Sequence, residues 1–153
     1  METLKGEKHS KALPKGFTGI VEWSDGTKEW HLNGKFHRVD GPAVERANGT
    51  KEWYLNGKLH RVNGPAVEWS DGAKQWYVNG KLHRIDGPAI ENINGAKDWY
   101  LNNLWFFTLK PLGEYIVIQE GLPSTMEWLG KPVSTLKVLT AEGIKFIPNL
   151  PGV

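Results

Sequence analysis

The segment "WYLNGKLHRVNGPAVEW", Trp53 to Trp69, decides the fold. Moved back by 23 residues it reads "WHLNGKFHRVDGPAVER" from Trp30, and moved forward by 23 it reads "WYVNGKLHRIDGPAIEN" from Trp76. The same spacing links Trp30, Trp53, Trp76 and Trp99, then Glu22, Glu45, Glu68 and Glu91, then Gly26, Gly49, Gly72 and Gly95. His37, His60 and His83 follow it, as do the Gly-Pro-Ala triplets at 41–43, 64–66 and 87–89. A fixed period of this length is the signature of a repeat architecture whose units bury their cores by stacking.

Each repeat carries two turn signals. Asn-Gly at 33–34, 56–57 and 79–80 lies between alternating apolar segments, the pattern of a two-residue type I′ hairpin turn, both of whose residues need positive φ. Asp-Gly or Asn-Gly at 25–26, 48–49, 71–72 and 94–95 marks the second turn. Flanking stretches such as "PAVEW" and "KEWYL" are rich in β-branched and aromatic residues. The expected fold class is mainly β: an antiparallel β-meander of 23-residue hairpin repeats with a small mixed α/β C-terminal cap. If both turns hold two residues, Trp53 faces His60, Glu52 faces Arg61, Val44 faces Trp53 and Val67 faces Trp76. The neighbouring repeats would pair Glu29 with Arg38 and Gln75 with Arg84. Alternation then puts Val44, Trp53, Leu55, His60 and Val62 on one face and Glu52, Tyr54, Leu59 and Arg61 on the other. Trp30, His37, Trp53, His60, Trp76, His83 and Trp99 become a structural ladder. His31, Tyr54, Tyr77, Tyr100, Arg38, Arg61 and Arg84 become the candidate partner-binding surface, since aromatics with arginine are enriched at interface hot spots.

Three segments follow: a polar basic tail (1–16), the repeat region (17–103) and a capping segment (104–153). In the fourth repeat "WYLNNLWFF" replaces "WYLNGKLHR", exchanging polar residues for apolar ones as a terminal repeat must. Beyond it "EYIVIQE" reads as a strand. "STMEWLG" carries a Ser124-to-Glu127 capping box, and "STLKVLTAEG" offers a second short helix closing at Gly143.

Charge divides unevenly. Residues 17–102 hold eleven Lys/Arg and eleven Asp/Glu, residues 103–153 four of each, and residues 1–16 four lysines against two glutamates. The repeat region is therefore neutral, which disfavours phosphate-driven nucleic-acid binding. That binding, or capture of a small anionic ligand, through the Lys-x-His-Arg and tyrosine face is the alternative reading. Equivalent strands two apart lie roughly 9–10 Å from one another, too far for His37, His60 and His83 to share one ion, so no metal site and no cofactor is expected. With no cysteine and with serines only in turn-like "SDG" motifs within the repeats, no catalytic constellation stands out, and the chain is expected not to be an enzyme. The polar start, the lack of cysteine and the lack of any apolar run of about 20 residues suit a cytoplasmic protein without a membrane span.

Written as "WYxNGKxHRxDGPAxE", the repeat resembles MORN-type repeats over residues 17 to about 103, and most of all the bacterial and phage MORN-like group that includes antitoxin-type proteins. The resemblance implies a non-catalytic β-meander, in a bacterial or phage-infected cell, that binds a protein partner to inhibit or scaffold it. Some members of the family bind membrane lipids. The Gly-Pro-Ala triplet departs from the common MORN pattern.

Overall fold

The computed structural model describes residues 2–6 and 13–109, with 116–118, 127–128, 131–132, 135–140 and 143–148 beyond them. The protein is mainly β, with antiparallel hairpin strands in a meander-like sheet and no helix among the described residues. No helix among them is therefore long and apolar enough to cross a membrane. Two compact bodies divide the chain, Met1–Lys81 and Leu82–Val153.

In the first body the sheet runs Gly19–Trp23, Lys28–Leu32, Val44–Glu45, Lys51–Glu52, Val67–Glu68 and Lys74–Gln75, each antiparallel to the next. Each repeat thus gives the sheet one strand from "PAVE" and one from "KE(W)". The Asn-Gly hairpin of the second repeat, Tyr54–Leu55 against Lys58–Leu59, forms a separate two-stranded ladder. Its turn is the one the sequence predicts: Asn33, Asn56 and Asn79 have φ of 51°, 51° and 52°, and each is followed by a positive-φ glycine. Asparagine tolerates this left-handed region and glycine has no Cβ to oppose it.

The second turn departs from expectation. Gly72 N–H donates to Trp69 O and Trp69 N–H to Ala73 O, while Asp71 Oδ1 accepts the Ala73 N–H at 2.9 Å. This loop holds three residues, Ser70–Asp71–Gly72, with Gly72 at φ 99° closing a type I turn and bulge. Asp25, Asn48 and Asn94 make the same side-chain bond in their repeats. The extra residue shifts the register by one. Val67 faces Gln75 rather than Trp76, Val44 faces Glu52 rather than Trp53, and Glu52 lies between Val44 and Val67 instead of opposite Arg61. Alanine is fully buried at Ala43, Ala66 and Ala89, and Val21, Val44 and Val67 are buried as well.

The polar N-terminal stretch contains a strand that the sequence does not signal. Glu2–Gly6 is a strand, parallel to Gly19–Trp23. It covers the open edge of the first repeat, which an unpaired strand would otherwise expose. The approach is close enough that a Cβ on Gly19 would stand 2.4 Å from Glu2 O.

In the second body Ile90–Glu91, Lys97–Leu101, Leu104–Leu109 and Ile116–Ile118 pair in succession, antiparallel. Asn103 replaces the glycine of the turn yet keeps a φ of 68°. The strand expected in "EYIVIQE" is present. The helix expected over "STLKVLTAEG" is not: Thr135–Thr140 is a strand in register with Gly143–Pro148. The β-branched residues Thr135, Val138 and Thr140 outweigh the glycine stop signal there. Glu127–Trp128 is likewise a strand, paired with Lys131–Pro132, where a Ser124-capped helix was expected. The cap's described residues are therefore β rather than mixed α/β.

Candidate functional site

Each histidine of the repeated motif ties one repeat to the next. His37 Nδ1 accepts the Asn56 backbone N–H at 3.1 Å and lies 3.0 Å from Asn56 Oδ1. His60 meets Asn79, and His83 meets Asn102, in the same way. Nearby, Gly57 N–H donates to Phe36 O and Gly80 N–H to Leu59 O. Each of these rings has the next turn's asparagine as its hydrogen-bond partner.

The arginines do not face the acids the simple register gives them. The Arg61 guanidinium lies 3.8 Å over the Trp53 ring and that of Arg38 lies 4.1 Å over Trp30, stacking worth about 0.5–1 kcal/mol at a partly exposed position. Nη1 of Arg61 donates to Pro65 O at 3.0 Å and to Glu68 at 2.8 Å. Arg38 makes the equivalent bonds to Pro42 O and Glu45, and Arg84 to Pro88 O and Glu91. The arginine therefore clamps the Gly-Pro-Ala loop that follows it. It needs the glycine: a Cβ on Gly41, Gly64 or Gly87 would stand 2.8, 3.1 or 3.0 Å from the guanidinium carbon. Arginine and tryptophan consequently share a side, contrary to the alternation expected.

The tyrosine position forms an inner column. Phe17, His31, Phe36 and Tyr54 follow one another with ring centroids 5.9, 4.8 and 5.2 Å apart, within the range of favourable aromatic pairs. Each polar member bonds the residue two before it: His31 Nε2 with Glu29, Tyr54 OH to Glu52, Tyr77 OH to Gln75. His31 is only 6% exposed and Glu52 equally so; the Glu52 carboxylate also accepts from Arg46 Nε. Tyr100 is half-buried near Asp98, and both its burial and that carboxylate push its phenol upward. Within Met1–Lys81 the residues expected to form a partner surface have separate roles. The arginines are clamps, and His31 and Tyr54 belong to the packed column.

Burial, and then the bond to Glu52, hold the Tyr54 phenol well above its ordinary value. Unfolded tyrosine ionises near pH ~10, so above that pH the folded chain holds a proton the unfolded chain has lost. Stability then falls as pH rises. Thermal melts across the alkaline range should show Tm falling from about pH 10, and Tyr54→Phe should flatten that slope.

A groove of about 400 Å³ is lined by Arg38, Val39, Asp40, Trp53, His60, Arg61, Val62 and Asn63, among others. Val39 is 84% and Val62 77% exposed on its rim. The simple register turns Val62 inward, and that error hides the groove from the sequence. The signal was the β-branched residue recurring just before each Asp/Asn-Gly-Pro. Among the described residues no three metal-ligating side chains gather. Comparison with protein-family models, curated proteins and solved structures finds no match to this chain.

Proposed function

We propose that this chain is a MORN-like, non-catalytic repeat protein that binds another protein, to inhibit or scaffold it, through the groove between its first two repeats. The observation that carries this reading is the pair of exposed valines, Val39 and Val62, flanking Trp53 and Arg61. An aliphatic rim around an aromatic and a guanidinium is the composition that supplies interface anchors. The nucleic-acid alternative is weakened because Arg38 and Arg84 are each engaged with two carboxylates of their own chain.

The test is a comparison of baits in lysate of the native host. A species retained by the wild-type chain should be lost when Val39→Asp and Val62→Asp are combined, with the circular-dichroism spectrum unchanged. Undiminished capture by the double variant would remove the groove as the binding surface. Both valines are exposed, so the fold should lose no more than about 0.5 kcal/mol per substitution.

A further inference from the structure

The three clamps share the Nη1 bonds to a proline carbonyl and a glutamate, but they differ in what their Nε–H meets. Arg38 Nε donates to Asp40 at 2.9 Å, and Arg84 Nε donates to Asp86 at 2.9 Å. In the middle repeat that aspartate is Asn63. Arg61 spends Nη1 on Pro65 O and Glu68, and its Nε–H has no acceptor among the described residues. Arg61 thus has one carboxylate where Arg38 and Arg84 have two. The unused edge, Nε–H beside Nη2, is the side-on fork that takes a carboxylate through two parallel bonds. Arg61 lines the groove together with the exposed Val62. Asp40, the acid in the groove's lining, is held by Arg38, whose hydrogen bond keeps its carboxyl below the usual range. Its charge is matched locally and does not close the site to a second carboxylate.

We infer that Arg61 receives a carboxylate from the bound partner: an aspartate or glutamate next to an aliphatic residue, the acid taking the place of the aspartate that Asn63 lacks and the aliphatic side chain lying against Val39 and Val62. This rests on the groove being the partner-binding surface and supplies its chemistry. The partner's acid completes from outside a clamp that the flanking repeats complete from within. The site discriminates among repeats, since only the middle one has the fork open.

The test reads the Arg side-chain Nε–H resonances by NMR in the intact chain. The probe is the blocked dipeptide acetyl-Leu-Asp-amide, with acetyl-Leu-Asn-amide as the uncharged control and inorganic phosphate as a second anion. The aspartyl peptide at millimolar concentration should move the Arg61 resonance in a saturable way and leave Arg38 and Arg84 in place. The control peptide should move none. Asn63→Asp, which rebuilds the arrangement of the neighbouring repeats, should abolish the response while preserving the fold. No shift at Arg61, equal shifts at all three arginines, or a response that survives Asn63→Asp would each overturn the inference. A phosphate response exceeding that of the aspartyl peptide would overturn it too, by assigning the fork to phosphate. Because this titration uses no partner, its failure leaves the lysate comparison standing. Failure of that comparison does not bear on whether the fork is open.

Discussion

Replacing Trp99 by alanine lowers the unfolding free energy of the body Leu82–Val153 by about 3–5 kcal/mol, the range for deleting a buried aromatic. Among the described residues, Trp99 is the tryptophan whose side chain is fully enclosed. It stands in the middle of Lys97–Leu101, a strand paired on both sides, next to a register shift between Trp99 and Tyr100. A cavity there cannot be closed without moving both neighbouring strands. Since small domains are stable by only about 5–15 kcal/mol, the loss should show as a large fall in the urea midpoint followed by fluorescence. Trp69, 43% exposed at the Ser70–Gly72 turn, is the control: its alanine variant should change stability by about 0.5 kcal/mol or less. Equal effects of the two substitutions would show that Trp99 does not organise its body.

The second large effect is expected at Gly64. Its φ of 146° lies where only glycine is at ease, and a Cβ there would stand 3.1 Å from the Arg61 guanidinium carbon. Gly64→Ala combines backbone strain of about 1–3 kcal/mol with a push on the guanidinium that rests on Trp53. Gly41→Ala meets the Arg38 guanidinium still more closely, at 2.8 Å, but on a backbone without positive φ. Its clash is with the end of a flexible side chain, so it should cost about 1 kcal/mol, near the typical value for a point substitution. Tm values of the two variants separate the contributions: Gly64→Ala should fall further than Gly41→Ala. The reverse order would mean that crowding of the arginine, rather than backbone conformation, governs the loop.

Much of this fold was legible because the repeat multiplies each signal. Asn-Gly between apolar runs gave the type I′ turns, and Asn33, Asn56 and Asn79 adopt the required positive φ. The period gave the partnership of equivalent positions. The other turn misled because Asp-Gly serves two purposes: it can be the whole of a two-residue turn or the end of a three-residue one. Only the capture of the Ala73 N–H by Asp71 distinguishes them, and that choice moved Val67 from Trp76 to Gln75. Glu52 and Arg61 part because the Asn-Gly ladder ends at Tyr54 and Leu59. The arginine's true acidic partner lies seven residues ahead, across a loop whose course no local pattern encodes. The parallel strand Glu2–Gly6 was illegible for a related reason, since "ETLKG" carries no apolar alternation. Its pairing is dictated by the vacant edge it meets. The candidate groove followed from the register and so was reachable only through the structure.

The bonds that join successive repeats span fixed sequence offsets: Gly57 N–H to Phe36 O, Arg38 N–H to Tyr54 O, Ser70 N–H to Thr50 Oγ1. A single inserted residue would put every bond that spans it out of step at once. Adding or deleting a block of 23 residues leaves them all in phase. Lengthening of this molecule is thus quantised, and a splice that duplicates residues 41–63 would carry a second copy of the Arg61–Asn63 pair with it.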